Sequence, residues 1–252
     1  YEEHADGRCE VGIHIADVTH FVRPRSALDR EAEKRGTSIY LVDRTIPMLP
    51  PQLSEDLCSL RPREDRLAFS AVFTFKNGKA VDRWFGKSII CSKKRFTYEE
   101  ADETLKKKDA PYHHELATLW DIASGLREKR KDEGAIMFAL DEVKPVVDES
   151  GTVISFKRSR YTESHQLIEE LMLLANREVA GLVSKRLGRK NRLFVYRIHD
   201  DPDPDKLEEL NIFLRALGYD INANGGSIAA RDINTLFEQI EGAPEENLIK
   251  TA

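Results

Sequence analysis

The spacing of apolar residues changes period several times along the chain, and each change predicts an element. Cys9 to Val18 (CEVGIHIADV) alternates and is rich in β-branched residues, the period-two signature of a half-buried strand. Leu67 to Phe75 and Ala80 to Ser92 are strand-like in the same way. Between them Asn77-Gly78 predicts a tight hairpin, because both turn positions require positive φ. Val143 to Val147 and Thr152 to Lys157 predict a second hairpin across Glu149-Ser150-Gly151. Ile39 to Leu41, Ala135 to Ala139 and Leu193 to Ile198 read as shorter strands, the last of them buried.

Helical spacing is clearest from Glu163 to about Leu187, where Leu167, Leu171, Leu174 and Val179 recur on one stripe. Ser26 starts a short helix that Gly36 stops. Thr97-x-x-Glu100 is a capping box opening a helix through about Lys107. Tyr112 to Glu133 forms a longer helix ended by Gly134. Asp203-Pro204 opens another, with Asp as N-cap and Pro in the first turn. A weaker helix spans Asp232 to Ile240, after a Gly-Gly loop. Ile46 to Arg61 holds three prolines and several leucines, so it predicts an ordered apolar loop with room for one helical turn. Strands and helices mix without a regular βαβ beat, which makes the fold class α+β. No linker-like stretch interrupts residues 1–252, so a single domain is expected.

Composition narrows the classes of function. The apolar share of 40% is enough for a core, and no run of 18 apolar residues predicts a membrane span. The chain opens on Tyr1 with no basic-then-apolar leader, so it is expected to begin downstream of the start of its gene. Cys9, Cys58 and Cys91 are odd in number and far apart. That disfavours a disulfide scaffold or a paired CxxC zinc site and points to a reducing cytoplasm. Walker, GxSxG and HExxH motifs are absent.

The net charge of −5 argues against indiscriminate coating of nucleic acid, yet basic residues cluster. Lys79, Arg83, Lys87, Lys93, Lys94 and Arg95 form one group, and Lys157, Arg158 and Arg160 a second. Residues 185–197 form a third, with six cations and no acid. Trp84, Phe85, Phe96, Tyr98, Phe156, Tyr161 and Tyr196 interleave with them. Cations for phosphates beside aromatic platforms for bases suit single-stranded nucleic acid, although charge runs also form ordinary solvated surface.

Three acidic constellations have structural accounts beside chemical ones. In His14-x-x-Asp17-x-x-His20, strand period two would put both histidines on one face and Asp17 on the other, which favours structure over metal binding. Asp17 ends an apolar strand and needs a partner. Asp200, Asp201, Asp203 and Asp205 fit a helix start better than a cation site. Glu163 and Glu170 share a helical face from which Glu169 is offset, and a solvated edge and a functional role are equally open. His165 and Glu169, at i and i+4, read as local support.

Taken together, the segments resemble the catalytic RNB domain of the RNase II/RNase R family of exoribonucleases, most closely its bacterial RNase R branch. The resemblance rests on VGIHIADVTHFV (Val11–Val22), RGTSIYLVDRTIPMLPPQLSEDLCSLRPREDRLAFS (Arg35–Ser70), SKKRFTYEEA (Ser92–Ala101), GAIMFAL (Gly134–Leu140), ESHQLIEELMLLANREVA (Glu163–Ala180) and VYRIHDDPDPDKLEEL (Val195–Leu210). They run in the family's order over most of the chain. The resemblance implies hydrolytic, Mg²⁺-dependent, processive 3′→5′ degradation of single-stranded RNA to nucleoside 5′-monophosphates. Two cations roughly 4 Å apart would activate water and stabilise the leaving oxygen.

It also implies roles for particular residues. Tyr40 matches the aromatic that packs on bases at the 3′ end, and Phe138 the aromatic that clamps the far end of the stack. Tyr98, with Glu169 or Glu170, matches the pair that distinguishes RNA from DNA near the terminal nucleotides. Asp17 is expected to support the site; His165 and Asn176 are expected to be structural. Two parts of the family pattern are absent. Its D-x-D-D metal-binding cluster would lie upstream of residue 1, and its catalytic arginine string beyond residue 252. The resemblance therefore implies an RNB domain incomplete at both ends, inactive by itself, with the Mg²⁺ ligands upstream. Cold-shock and S1 domains would flank it in the full-length protein. The other reading is a non-catalytic RNA-binding module or regulator with the same fold.

Overall fold

A computed structural model of the chain describes residues 1–137, 142–148, 150–187, 194–196, 198, 202–221 and 228–251. In chain order its elements are β1 (Glu2–Glu3), β2 (Cys9–Ala16), α1 (Val18–Phe21), α2 (Ala27–Arg35), β3 (Ile39–Tyr40), β4 (Thr45–Ile46), a π-helical turn (Gln52–Leu57), β5 (Asp65–Lys76), β6 (Lys79–Cys91), α3 (Tyr98–Lys106), α4 (His113–Asp132), β7 (Glu142–Val147), β8 (Val153–Ser159), α5 (Glu163–Leu187), α6 (Pro204–Ala216), α7 (Ala230–Ile240) and α8 (Glu246–Thr251). The mixture is α+β. It divides into two compact units, Tyr1–Ala123 with Asp141–Arg186, and Ser124–Leu140 with Leu187–Ala252.

The first unit is built on an antiparallel sheet in the order β1-β2-β5-β6. Asn77 and Gly78 take φ of 51° and 71°, which joins β5 and β6 in the tight turn their sequence predicts. Alternation then sorts the sheet's faces. Val11 lies opposite Phe73, and both are almost wholly buried. Phe73 meets Phe85 edge-to-face at 5.9 Å. The other face carries a polar ladder: His14 Nδ1 is 2.6 Å from the Ser70 hydroxyl, which is 2.5 Å from that of Ser88. Ser70 is 1% exposed, so these two bonds satisfy a group that would otherwise be costly to bury.

Helix termini follow their sequence signals. The Ser26 hydroxyl accepts from the Asp29 amide, and Gly36, at φ 71°, closes α2. Thr97 and Glu100 form a reciprocal capping box at the start of α3. On α5, Leu167, Leu171 and Leu174 are buried, as their spacing predicts. The second unit packs Leu214 of α6, Ile221, Leu236 and Ile240 of α7, and Ile249 of α8 into a small core. Asp203 caps α6 by accepting from the Asp205 amide, so it serves the helix start.

Four local features differ from the sequence expectations. Strand β2 ends at Ala16 and Asp17 opens α1, so the period-two argument does not reach His20. Residues 135–137 form no strand. The Asn234 side chain on α7 binds them instead, its Oδ1 accepting from the Met137 amide (2.9 Å) and its Nδ2 donating to the Ala135 carbonyl (2.8 Å). Phe194, Val195, Tyr196 and Ile198 lie outside any element and are exposed, Val195 by 93%, so the expected buried strand is not formed there. Among the described residues no strand lies beside them to pair with, and apolar sequence alone does not make a strand. Helix α8 was not expected; its six residues carry too short an apolar pattern to announce it.

Candidate nucleic-acid interface

The start of α3 and the start of α5 are tied together in the first unit. The capping box fixes Tyr98 as the first residue of α3. From α5, the buried Ser164 donates its hydroxyl to the Tyr98 carbonyl (3.3 Å) and its amide to the Asp102 carboxylate (3.2 Å). The next residue, His165, lays its ring flat on Tyr98, with centroids 3.7 Å apart and planes 14° apart. His165 Nδ1 is hydrogen-bonded to the Thr162 hydroxyl at 2.8 Å, and the Tyr161 ring lies 5.7 Å away. Tyr98 keeps 44% of its surface exposed. Beside it runs a cleft of about 570 Å³ lined by Arg95, Phe96, Tyr98, Leu105, Leu116, Leu167 and Ile168, among others.

The two glutamates of α5 differ. Glu170 is 3% exposed and sits with the buried leucines. Glu169 is only partly buried and lies one helical turn from His165, on the same face. Both have interaction partners. Tyr40 stands apart at 80% exposure in the β3–β4 hairpin, where Ile39, Leu41, Val42 and Ile46 are exposed as well. The structure does not bring Tyr40 into contact with Tyr98. Phe138, Asp200, Asp201, Arg189, Lys190, Arg192 and Arg197 lie outside the described residues.

Asp17 has the partner its position demands. It is 6% exposed, and its carboxylate accepts from Lys87 of β6 (2.8 Å) and from the Thr19 hydroxyl (2.7 Å). Those two hydrogen bonds, Lys87 foremost, hold its pKa below the ordinary 3.8. His14 turns to Ser70 and His20 packs against Phe21, so the three residues of the His-Asp-His spacing have separate partners. Among the described residues no group of three or more His, Cys, Asp or Glu side chains could hold a metal ion. No described helix is long and apolar enough to cross a membrane.

Four of the clustered cations are answered by acids, three of them distant in sequence. Arg83 pairs with Glu178, Lys87 with Asp17, Lys94 with Glu100 (3.7 Å) and Lys157 with Glu99 (3.8 Å). Counting charges along the chain missed these pairs because they cross between elements. It missed the Tyr98–His165 stack for the same reason. The residues are 67 apart, and only the adjacency of the two helix starts joins them.

Comparison with known proteins places the whole chain in one family. The model of the RNB domain matches residues 1–252. The chain is 40% identical over 239 residues to DIS3-like exonuclease 2 of Schizosaccharomyces pombe, covering 88% of this chain and 26% of that protein. It is 39% identical over 224 residues to ribonuclease R of Thermotoga maritima, covering 86% of this chain and 31% of that protein. The chain thus spans about a third or less of these relatives' own lengths. The solved structure of Mycoplasma genitalium RNase R in complex with double-stranded RNA superposes with a TM-score of 0.86 at 28% identity, over 96% of this chain and 44% of that one. With the domain model matched from end to end and relatives near 40% identical, the chain belongs to the RNB domain family.

Proposed function

We propose that the full-length protein is a processive 3′→5′ exoribonuclease that hydrolyses single-stranded RNA to nucleoside 5′-monophosphates in the cytoplasm, and that residues 1–252 supply part of its RNA-binding channel. The observation that carries this reading is the exposed Tyr98 face, fixed at a helix start beside an apolar cleft, in a chain of this family. An aromatic platform grips any base, because every base offers a π-face.

In this proposal Tyr40 stacks on bases at the 3′ end and Phe138 clamps the far end of the stacked run. Tyr98 and Glu169 read the terminal 2′-hydroxyl, the group that separates RNA from DNA. Glu169 is preferred to Glu170 because it is the less buried and lies on the His165 face. Asp17 supports the site by fixing β6 to the start of α1. Free thiols at Cys9, Cys58 and Cys91 support a reducing compartment.

Nucleases of this family are metal-dependent, and we take the metal to be Mg²⁺. Among the described residues no group of three or more His, Cys, Asp or Glu could hold it, and its ligands are expected upstream of residue 1. The work assigned to them is to bind, order and discriminate the strand, and residues 1–252 alone are expected not to cleave RNA. Cold-shock and S1 domains are expected to flank the RNB domain in the full protein.

Chromatography of products tests the reading. Full-length protein with Mg²⁺ and single-stranded RNA should release nucleoside 5′-monophosphates. RNA that is bound with salt-sensitive affinity but left intact would replace it with the non-catalytic RNA-binding reading.

A further inference from the structure

Tyr98 has two ring faces, and the structure gives one of them to His165. The stack is close and nearly parallel, at 3.7 Å and 14°. His165 is itself held by Thr162 at 2.8 Å, and its neighbour Ser164 fixes the Tyr98 backbone through the carbonyl at 3.3 Å. One residue pair of α5 therefore sets both the position and the ring plane of Tyr98. Glu169 follows His165 by one helical turn on the same side of α5. A change in the His165 ring would thus shift Tyr98 relative to Glu169 without removing either group.

We infer that His165 is a positioning residue for sugar discrimination: it holds the Tyr98 ring so that its free face and hydroxyl meet the ribose of a terminal nucleotide. The inference rests on the reading that Tyr98 contacts that ribose. His165 does not touch the nucleotide. It removes rotamer freedom that Tyr98 would otherwise lose on binding, and such preorganisation strengthens the contact made by the ordered ring. The aromatic ring, rather than the imidazole nitrogens, carries the effect.

The test uses full-length protein and two RNA substrates that differ only in a 2′-hydroxyl or a 2′-hydrogen on the 3′-terminal nucleotides. The readout is the ratio of kcat/KM for the two. His165→Ala should lower that ratio about three- to tenfold, the worth of one aromatic stack. His165→Phe, which keeps the ring, should restore it. His165→Gln, which keeps a polar side chain without the ring, should behave as His165→Ala does and covers the case in which His165→Ala does not fold. Tyr98→Ala runs alongside. If Tyr98→Ala lowers the ratio while His165→Ala and His165→Gln leave it at the wild-type value, the positioning role is wrong and the Tyr98 reading stands. If Tyr98→Ala also leaves it unchanged, the reading beneath the inference is overturned and the inference with it. Failure of His165→Phe to restore the ratio would likewise overturn a role carried by the ring.

Discussion

The burial of Asp17 is explained by its partners. Its carboxylate is nearly buried and holds Lys87 and Thr19 at once. Its pKa lies below 3.8 in the fold, so its contribution is fully present above that value and is lost as pH falls through the lower folded value. Asp17→Asn should therefore lower the melting temperature at neutral pH. The gap from wild type should close as the pH is taken below 3.8, and thermal melts across that range read it directly. A gap that stays constant down to the acid limit would show that the charge is not what matters. The need for a partner at Asp17 is legible in the sequence but its identity is not, because Lys87 is 70 residues away on β6.

At the scale of elements, local signals were legible and cross-element contacts were not. The Asn77-Gly78 turn, the Thr97 capping box, the α5 stripe and the Asp203 cap all follow from a few adjacent residues, and each formed. Ala135 to Ala139 and Leu193 to Ile198 read as strands from their apolar residues, but their described residues form none, because strand formation depends on a neighbour to pair with, which sequence periodicity does not supply. Thr97→Ala should cost about 0.5–2 kcal/mol by removing the cap of α3. Chemical denaturation measures it, and no loss would mean that α3 does not depend on the box. Asn234→Leu should cost about 1–3 kcal/mol, because it leaves the Met137 amide and the Ala135 carbonyl without the side chain that binds them. Urea unfolding with an unchanged midpoint would show that this grip contributes nothing.

For the whole molecule, charge along the chain and charge in space give different pictures. The net −5 and the basic runs suggested acidic surface interrupted by basic stripes. In the fold, Arg83, Lys87, Lys94 and Lys157 each meet an acid, so part of the first two clusters binds the protein to itself. In the proposed reading, recognition of the strand therefore rests on exposed aromatic faces, Tyr40 and Tyr98, as well as on charge. The most direct measurement is a time course of full-length protein on 5′-labelled single-stranded RNA with Mg²⁺, resolved on a denaturing gel. The account predicts a ladder that shortens progressively from the 3′ end. RNA that stays full length, or that is cut internally, would contradict it.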